Sequence, residues 1–228
     1  MTKRTFAGSR ENSVHHFKTK EVHADTEYDW EECGLGKTER RIFMTPGGQL
    51  KDEHEGILLM LKILDKVSGK MKKQGKVEFM HLEQIVDFFK IFADKCHHGK
   101  EEDLLFPEME KAGIPRDRGP IGVMLAEHVQ GRAYVRAMGE AVEALKKGDP
   151  KAQGKFIENA SNYITLLTQH IDKENNILFP MGDRVLNRDL QKQLVEKFEI
   201  VEREKIGVGT HEKFHKLLHQ LKEIYLGS

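Results

Sequence analysis

Two stretches of the chain, 73 residues apart, carry the same chemistry. They read His97-His98-Gly99-Lys100-Glu101-Glu102-Asp103-Leu104-Leu105-Phe106-Pro107 and His170-Ile171-Asp172-Lys173-Glu174-Asn175-Asn176-Ile177-Leu178-Phe179-Pro180. In each, a His precedes a Glu by four residues and a Pro by ten. Another His stands 43 or 42 residues upstream on an apolar-periodic segment, His54 in the first case and His128 in the second. Residues i and i+4 of a helix share a face, about 6 Å apart along the axis, so His-x-x-x-Glu presents a nitrogen and a carboxylate to one point. A unit carrying one His and one His-x-x-x-Glu has been used twice. The set His54, His97, Glu101, His128, His170 and Glu174 is a ligand set for a pair of metal ions.

The faces that carry these residues continue the apolar stripes of their helices, so the groups are expected to point inward. A carboxylate buried there without a partner costs several kcal/mol, and cations offset that cost better than ion pairs with imidazole. With no thiolate in the set, zinc of the structural kind is disfavoured, and imidazole with carboxylate suits six-coordinate iron first. Manganese, or a mixed iron/manganese pair, ranks behind it. If each Glu bridges, the protein fills about eight of about twelve positions on two octahedral ions. An oxo or hydroxo bridge then leaves about one open position per ion, which implies chemistry on a small ligand.

One ambiguity follows from His98 and Glu102, which also stand four apart. Gapless alignment of the two Leu-Phe-Pro ends puts Glu101 on Glu174 and His97 on His170, so the pair His97/Glu101 is chosen. Adjacent helical residues lie about 100° apart, which argues against both pairs serving the site. His98, like His81, is accordingly read as a satisfied core or edge histidine.

The elements that must position these residues are helical. Ile57, Leu58, Leu61, Leu64 and Val67 mark one stripe, and a break at Gly75 precedes Phe79, Leu82, Ile85, Val86, Phe89 and Phe92. Pro107 reads as a kink or stop. Met124, Val135, Met138 and Val142 mark a third helix; Phe156, Ala160, Ile164 and Leu167 mark a fourth. Four helices of about 25 residues with short connections predict an all-α, up-down-up-down four-helix bundle over residues 48–185. Residues 186–228 predict additional C-terminal helices packed on the bundle. His211, His215 and His219 share a face there, read as part of a packing helix rather than a metal stripe. Residues 1–47 read as a polar N-terminal extension closing at Thr45-Pro46-Gly47-Gly48. Its Trp30 and Tyr28 would dock by packing, and His15, His16, His23 and Cys33 match no ligand pattern.

The bulk composition narrows the function classes. Lys plus Arg equals Asp plus Glu at 37 each, so no net charge recruits nucleic acid or an anionic membrane. No apolar run approaches the ~20 residues of a membrane span, and the first residues lack the apolar core of a signal peptide. Two cysteines, Cys33 and Cys96, build no disulfide framework, so a cytoplasmic setting is expected.

These motifs resemble the hemerythrin-like (HHE cation-binding) family. The likeness rests on Glu53-His54-Glu55-Gly56, both His-x-x-x-Glu motifs, Gly119-Pro120 through Glu127-His128, and the tail around Glu204–His215. The resemblance implies a four-helix bundle around a non-haem di-iron centre that binds or reacts with O2, NO or peroxide as sensor, scavenger or store. The alternatives it implies are an iron donor for repair of iron centres, with a protein partner for iron or electron transfer, and a peroxide-reducing enzyme. Oxygen-carrying hemerythrins have a second His one turn after the third-helix His, where this chain has Arg132, and a more distant final carboxylate. Four His in a near-symmetric set look more like the bacterial repair proteins, which typically carry a short cysteine-containing N-terminal domain. Tyr163 and Tyr134 are further candidate ligands, and Glu127 is placed to orient an imidazole.

Overall fold

The computed structural model describes residues 44–73 and 76–227. Trp30, Tyr28, His15, His16, His23, Cys33 and the break at Gly75 lie outside the described residues. Helix α1 (Pro46–Lys72) opens on Thr45, whose side chain accepts a hydrogen bond from the Gly48 backbone N–H at 3.0 Å. Thr45-Pro46-Gly47-Gly48 therefore starts the first helix instead of closing the extension, because the Thr oxygen and the fixed φ of Pro46 suit a helix N-terminus.

The second helical run comprises α2 (Phe79–Phe88), a π-helical segment Phe89–His98, a second π segment Glu101–Leu105, and α3 (Phe106–Lys111). Helix α4 (Pro120–Lys146) is the third run. The fourth is α5 (Ala152–Lys173), which passes through a π segment, Glu174–Leu178, into α6 (Phe179–Val185). Pro107 and Pro180 neither stop nor break their runs. A Pro has no N–H and its ring crowds the carbonyl four residues back. The chain relieves this by widening the preceding turn: the N–H groups of Phe106 and Phe179 reach the carbonyls of Glu101 and Glu174, five residues back. The repeated Leu-Phe-Pro thus produces the same π-turn twice, each starting at a site glutamate.

Helix α5 packs between α1 and α4, α2 lies against α4, and the first π segment returns to α1, closing an up-down-up-down four-helix bundle. Beyond it, α7 (Arg188–Val201) lies on α1 and the second π segment. A last π segment, Glu202–Ile206, precedes α8 (Thr210–Tyr225), which runs along α1 and touches α2. Phe214, Leu218 and Leu221 of α8 join the core, while His215 and His219 face solvent. His81 is satisfied at its Nδ1 by the Tyr225 hydroxyl, 2.8 Å away.

Two apolar clusters fill the bundle. One includes Leu64, Phe89, Met138 and Phe156; the other includes Leu50, Phe106, Met124 and Phe179. On every run the site residues fall between the two: His54 between Leu50 and Ile57, His97 between Ala93 and Leu105, His128 between Met124 and Val135, and His170 between Leu167 and Leu178. A polar layer is sandwiched in hydrocarbon. Phe198 of α7 is fully buried in the second cluster, which makes the C-terminal helices part of the bundle's packing. Phe198→Ala should therefore cost about 3–5 kcal/mol in urea unfolding. An independently folded appendage would leave the main transition where it was.

Candidate metal centre

Each of the six residues singled out by spacing lies in this layer, and each is at most 1% exposed. His98, the residue set aside, joins them at 4% exposure. Two overlapping groups result: His54, His97, Glu101 and Glu174, and His98, Glu101, His128 and His170. Within each group one donor atom per residue lies within 4.8 Å of the others. These are two clusters of His and Glu side chains capable of coordinating a di-iron centre. His98 comes beside the layer because His97 and His98 end a π-helical segment, where i→i+5 turns broaden the face presented inward, but the pairs His97/Glu101 and His98/Glu102 do not serve the layer equally. Glu102 does not belong to either group.

Four imidazoles are oriented by their Nδ1 atoms. His54 Nδ1 meets Asn175 Oδ1 at 2.8 Å, His97 meets Glu53 Oε2 at 2.9 Å, His128 meets Glu102 Oε1 at 2.6 Å, and His170 meets Glu127 Oε2 at 2.9 Å. Each partner is an acceptor, so each Nδ1 donates and each Nε2 presents a lone pair to the centre. The carboxylates there present lone pairs as well. Among the described residues, His54 Nε2, His97 Nε2 and both oxygens of Glu101 and of Glu174 are buried without a hydrogen bond. A buried ring of acceptors without donors is costly, and a cation satisfies it.

The spacing fits. Donors about 2.1 Å from a six-coordinate ion lie about 3.0 Å apart when adjacent and about 4.2 Å when opposite. Here His128 Nε2 and His170 Nε2 are 3.1 Å apart, His170 Nε2 and Glu174 Oε2 3.2 Å, and His54 Nε2 and Glu174 Oε2 3.3 Å. Glu101 splits its oxygens, Oε1 lying 3.6 Å from His97 Nε2 and Oε2 3.5 Å from His128 Nε2. Glu174 likewise faces both sides, with Oε1 4.0 Å from His128 Nε2.

Burial, followed by the neighbouring Glu174 charge, pushes the Glu101 carboxyl well above its ordinary range. Burial also opposes charge on His170, yet the neighbouring Glu174 charge and the hydrogen bond to Glu127 raise its pKa to about 9. A proton held among these acceptors is what a cation displaces.

The supporting groups repeat as faithfully as the ligands do. Lys100 Nζ lies 2.5 Å from Glu53 Oε1, and Lys173 Nζ contacts Glu127, giving Lys-Glu-His chains ending at His97 and His170. Glu53 stays ionised: burial raises its pKa, but the Lys100 charge and the His97 contacts bring it down to about 2. Glu127 orients an imidazole as the sequence suggested, whereas on the first helix the orienting residue is Glu53, and Glu55 is exposed. Lys100 was overlooked because a lysine between solvating residues carries no burial signal; its recurrence three residues after each paired His was the available clue. Lys100 also meets Glu202 Oε1 at 2.5 Å, so the C-terminal helices seal it from water. Arg132, in place of a second third-helix His, bonds Asp94 Oδ1 and Glu102 Oε1, each at 2.7 Å. Tyr163 packs edge-on to Phe89 at 4.8 Å between ring centres, and Tyr134 lies partly buried against the first apolar cluster.

A helical bundle enclosing a His/Glu layer able to hold two metal ions defines a class of cation-binding proteins. The chain belongs to the hemerythrin family: the model of the Hemerythrin HHE cation binding domain matches residues 45–182. It is similar to an uncharacterized protein of Mycobacterium bovis, 22% identical over 169 residues, 74% of this chain and 66% of that protein. It is also similar to the iron-sulfur cluster repair protein YtfE of Yersinia pseudotuberculosis, 33% identical over 97 residues. That match covers 39% of this chain and 41% of the relative, so the chain spans well under half of the repair protein. No solved structure matches the chain.

The two Lys-Glu-His chains differ in exposure, with 0% for the Lys100 side chain against 34% for that of Lys173. Glu53→Ala should cost about 3–5 kcal/mol in denaturant unfolding, because it leaves the Lys100 ammonium buried beside Glu202 alone. Glu127→Ala should cost under about 1 kcal/mol. Both should weaken metal binding about 10–100-fold in competition titrations.

Proposed function

We propose that the protein holds a di-iron centre, for which His54, His97, His128 and His170 would supply the nitrogen ligands and Glu101 and Glu174 the carboxylate ligands. Its partner in chemistry is a small oxidant (O2, NO or peroxide), which it binds or reduces as sensor, scavenger or store. The observation that carries this reading is the convergence of buried lone pairs that no donor among the described residues satisfies. Iron, once bound, supplies a redox couple and exchangeable positions for such a ligand.

The chain's own residues supply the rest. The oriented imidazoles keep Nε2 aimed inward without reorganisation, and the flanking phenylalanines exclude bulk water. A cavity of about 1050 Å³ opens between α2 and α4. Its buried lining includes His98, Phe89 and Tyr163, and its rim includes Lys90, Arg136 and Glu140. Burial raises the Tyr163 pKa, so its phenol stays protonated beside that route. No helix of the described residues is long and apolar enough to cross a membrane.

The likeness to an iron-sulfur cluster repair protein favours a second reading, in which the iron is cargo delivered to damaged iron centres. Anaerobic loading with ferrous iron should give two irons per chain. Absorption should then change on adding O2, NO or peroxide. In Glu101→Gln the count should fall below two. A count of one or none in the wild type would end both readings. Under the second, the loaded protein also reactivates an iron–sulfur enzyme stripped by peroxide, and Glu101→Gln does not.

A further inference from the structure

Helix α8 carries a second set of imidazoles, away from the buried layer. His211, His215 and His219 recur every four residues, so they follow one face at steps of about 6 Å along the axis. A different face of α8 does the packing, through the buried Phe214, Leu218 and Leu221. Packing thus accounts for the apolar residues of this helix and leaves its histidines unexplained.

The first two histidines form a pair. Their ring centres lie 4.6 Å apart, with the planes at 81°. His211 is half-buried and stacks on Phe92, 5.4 Å between centres and 26° between planes, which holds its ring beside that of the exposed His215. Partial burial, then the charges of His211 and His219, lower the His215 pKa, so at neutral pH this ring offers a lone pair. Neither ring makes a hydrogen bond or ion pair among the described residues, in contrast to His81, whose Nδ1 meets the Tyr225 hydroxyl.

The separation of the rings indicates what they could hold. An ion about 2.1 Å from an imidazole nitrogen lies about 3.2 Å from the ring centre. Two rings on one ion then stand about 4.5 Å apart at a right angle and about 5.2 Å apart at the tetrahedral angle of zinc. The observed 4.6 Å matches the right angle. Among divalent ions with nitrogen ligands, that tetragonal geometry belongs to copper and nickel, and copper binds more tightly.

We propose that His211 and His215 form a separate, solvent-accessible site for a tetragonal divalent cation, copper(II) foremost, with water in its remaining positions. The site does not depend on the two-metal reading. Both ligands belong to one helix, so the ion closes a ring across a single turn. That turn lies at the start of α8, where Gly209 provides no side-chain cap, and the ion would hold it against fraying.

The test titrates copper(II) into the full chain after iron loading and oxidation in air. One copper per chain should bind beyond the iron, and its pulsed EPR should show the remote nitrogens of two imidazoles. His215→Gln should weaken this binding at least about tenfold, since removing even a group that only supports a ligand costs that much. His219→Gln, one turn further along the same face, should not. Hydrogen exchange should slow on copper binding in the first two turns of α8. Copper binding retained in His215→Gln, an equal loss in His219→Gln, a spectrum with one imidazole, or protection confined to another helix would overturn the assignment. None of these results bears on the buried layer, which the iron count tests.

Discussion

The protein is organised around a buried cluster of acceptors facing one another. Every oriented imidazole spends its Nδ1–H on an outward partner, so in its neutral, ligating form its inward nitrogen has nothing to donate to Glu101 and Glu174. In an apolar layer such a cluster is unstable by several kcal/mol without positive charge between its members. The apolar clusters on either side sharpen the demand, because low polarity strengthens every interaction with a cation and penalises every unpaired lone pair. Polar centre and hydrocarbon walls are therefore a single device. The walls supply most of the folding energy, and the centre determines what the fold can hold.

Duplication explains how so many groups are brought to one point. Each half contributes a Glu-His pair on one helix and a His-x-x-Lys-Glu run on the next. Within a half, the Glu beside the upstream His orients the downstream His. Across halves, the residue after each site glutamate orients the other half's upstream His, Glu102 for His128 and Asn175 for His54. The halves thus interlock, and neither positions its own imidazoles alone. The Leu-Phe-Pro ends belong to the same scheme. The missing N–H of Pro107 and of Pro180 is accommodated by a π-turn whose acceptor is the carbonyl of the very glutamate that enters the centre.

Much of this was legible in the sequence because it depended on period and repetition. Apolar steps of three and four marked the helices, and the duplicated spacing picked out six residues that the fold gathers into one layer. His98 is a core histidine stacked on His128, but its closeness to the layer was not legible, because the local change to π geometry has no strong residue signature. Glu53 and Lys100 were missed for a different reason: charged side chains beside a ligand usually face water, and only tertiary contacts show that these two do not. Pro107 was read as a kink or stop because proline's preference is a local rule, while the widened turn is a compromise that pays off only in the packed bundle. Thr45-Pro46 was assigned to the end of a loop when it is the start of a helix, a difference of a few residues at the boundary.

The C-terminal helices bear on the centre through a chain of charges. Gln49 of α1 and Lys100 both bond Glu202, Lys100 bonds Glu53, and Glu53 orients His97. Lys205 of the same π segment contacts Asp103, tying that segment to the run that carries Glu101. A buried lysine is tolerated only where opposite charges surround it, and the second carboxylate on Lys100 comes from outside the four-helix bundle. On the other half, Lys173 reaches water and Glu127 completes its chain without help. The two sides of one near-symmetric centre are thus held with unequal stiffness. His97 is fixed by a sealed network that includes the C-terminal segment, and His170 by an open one that solvent can relax. Rearrangement of that segment would act first on His97, and through it on the side of the centre formed by His54, His97, Glu101 and Glu174.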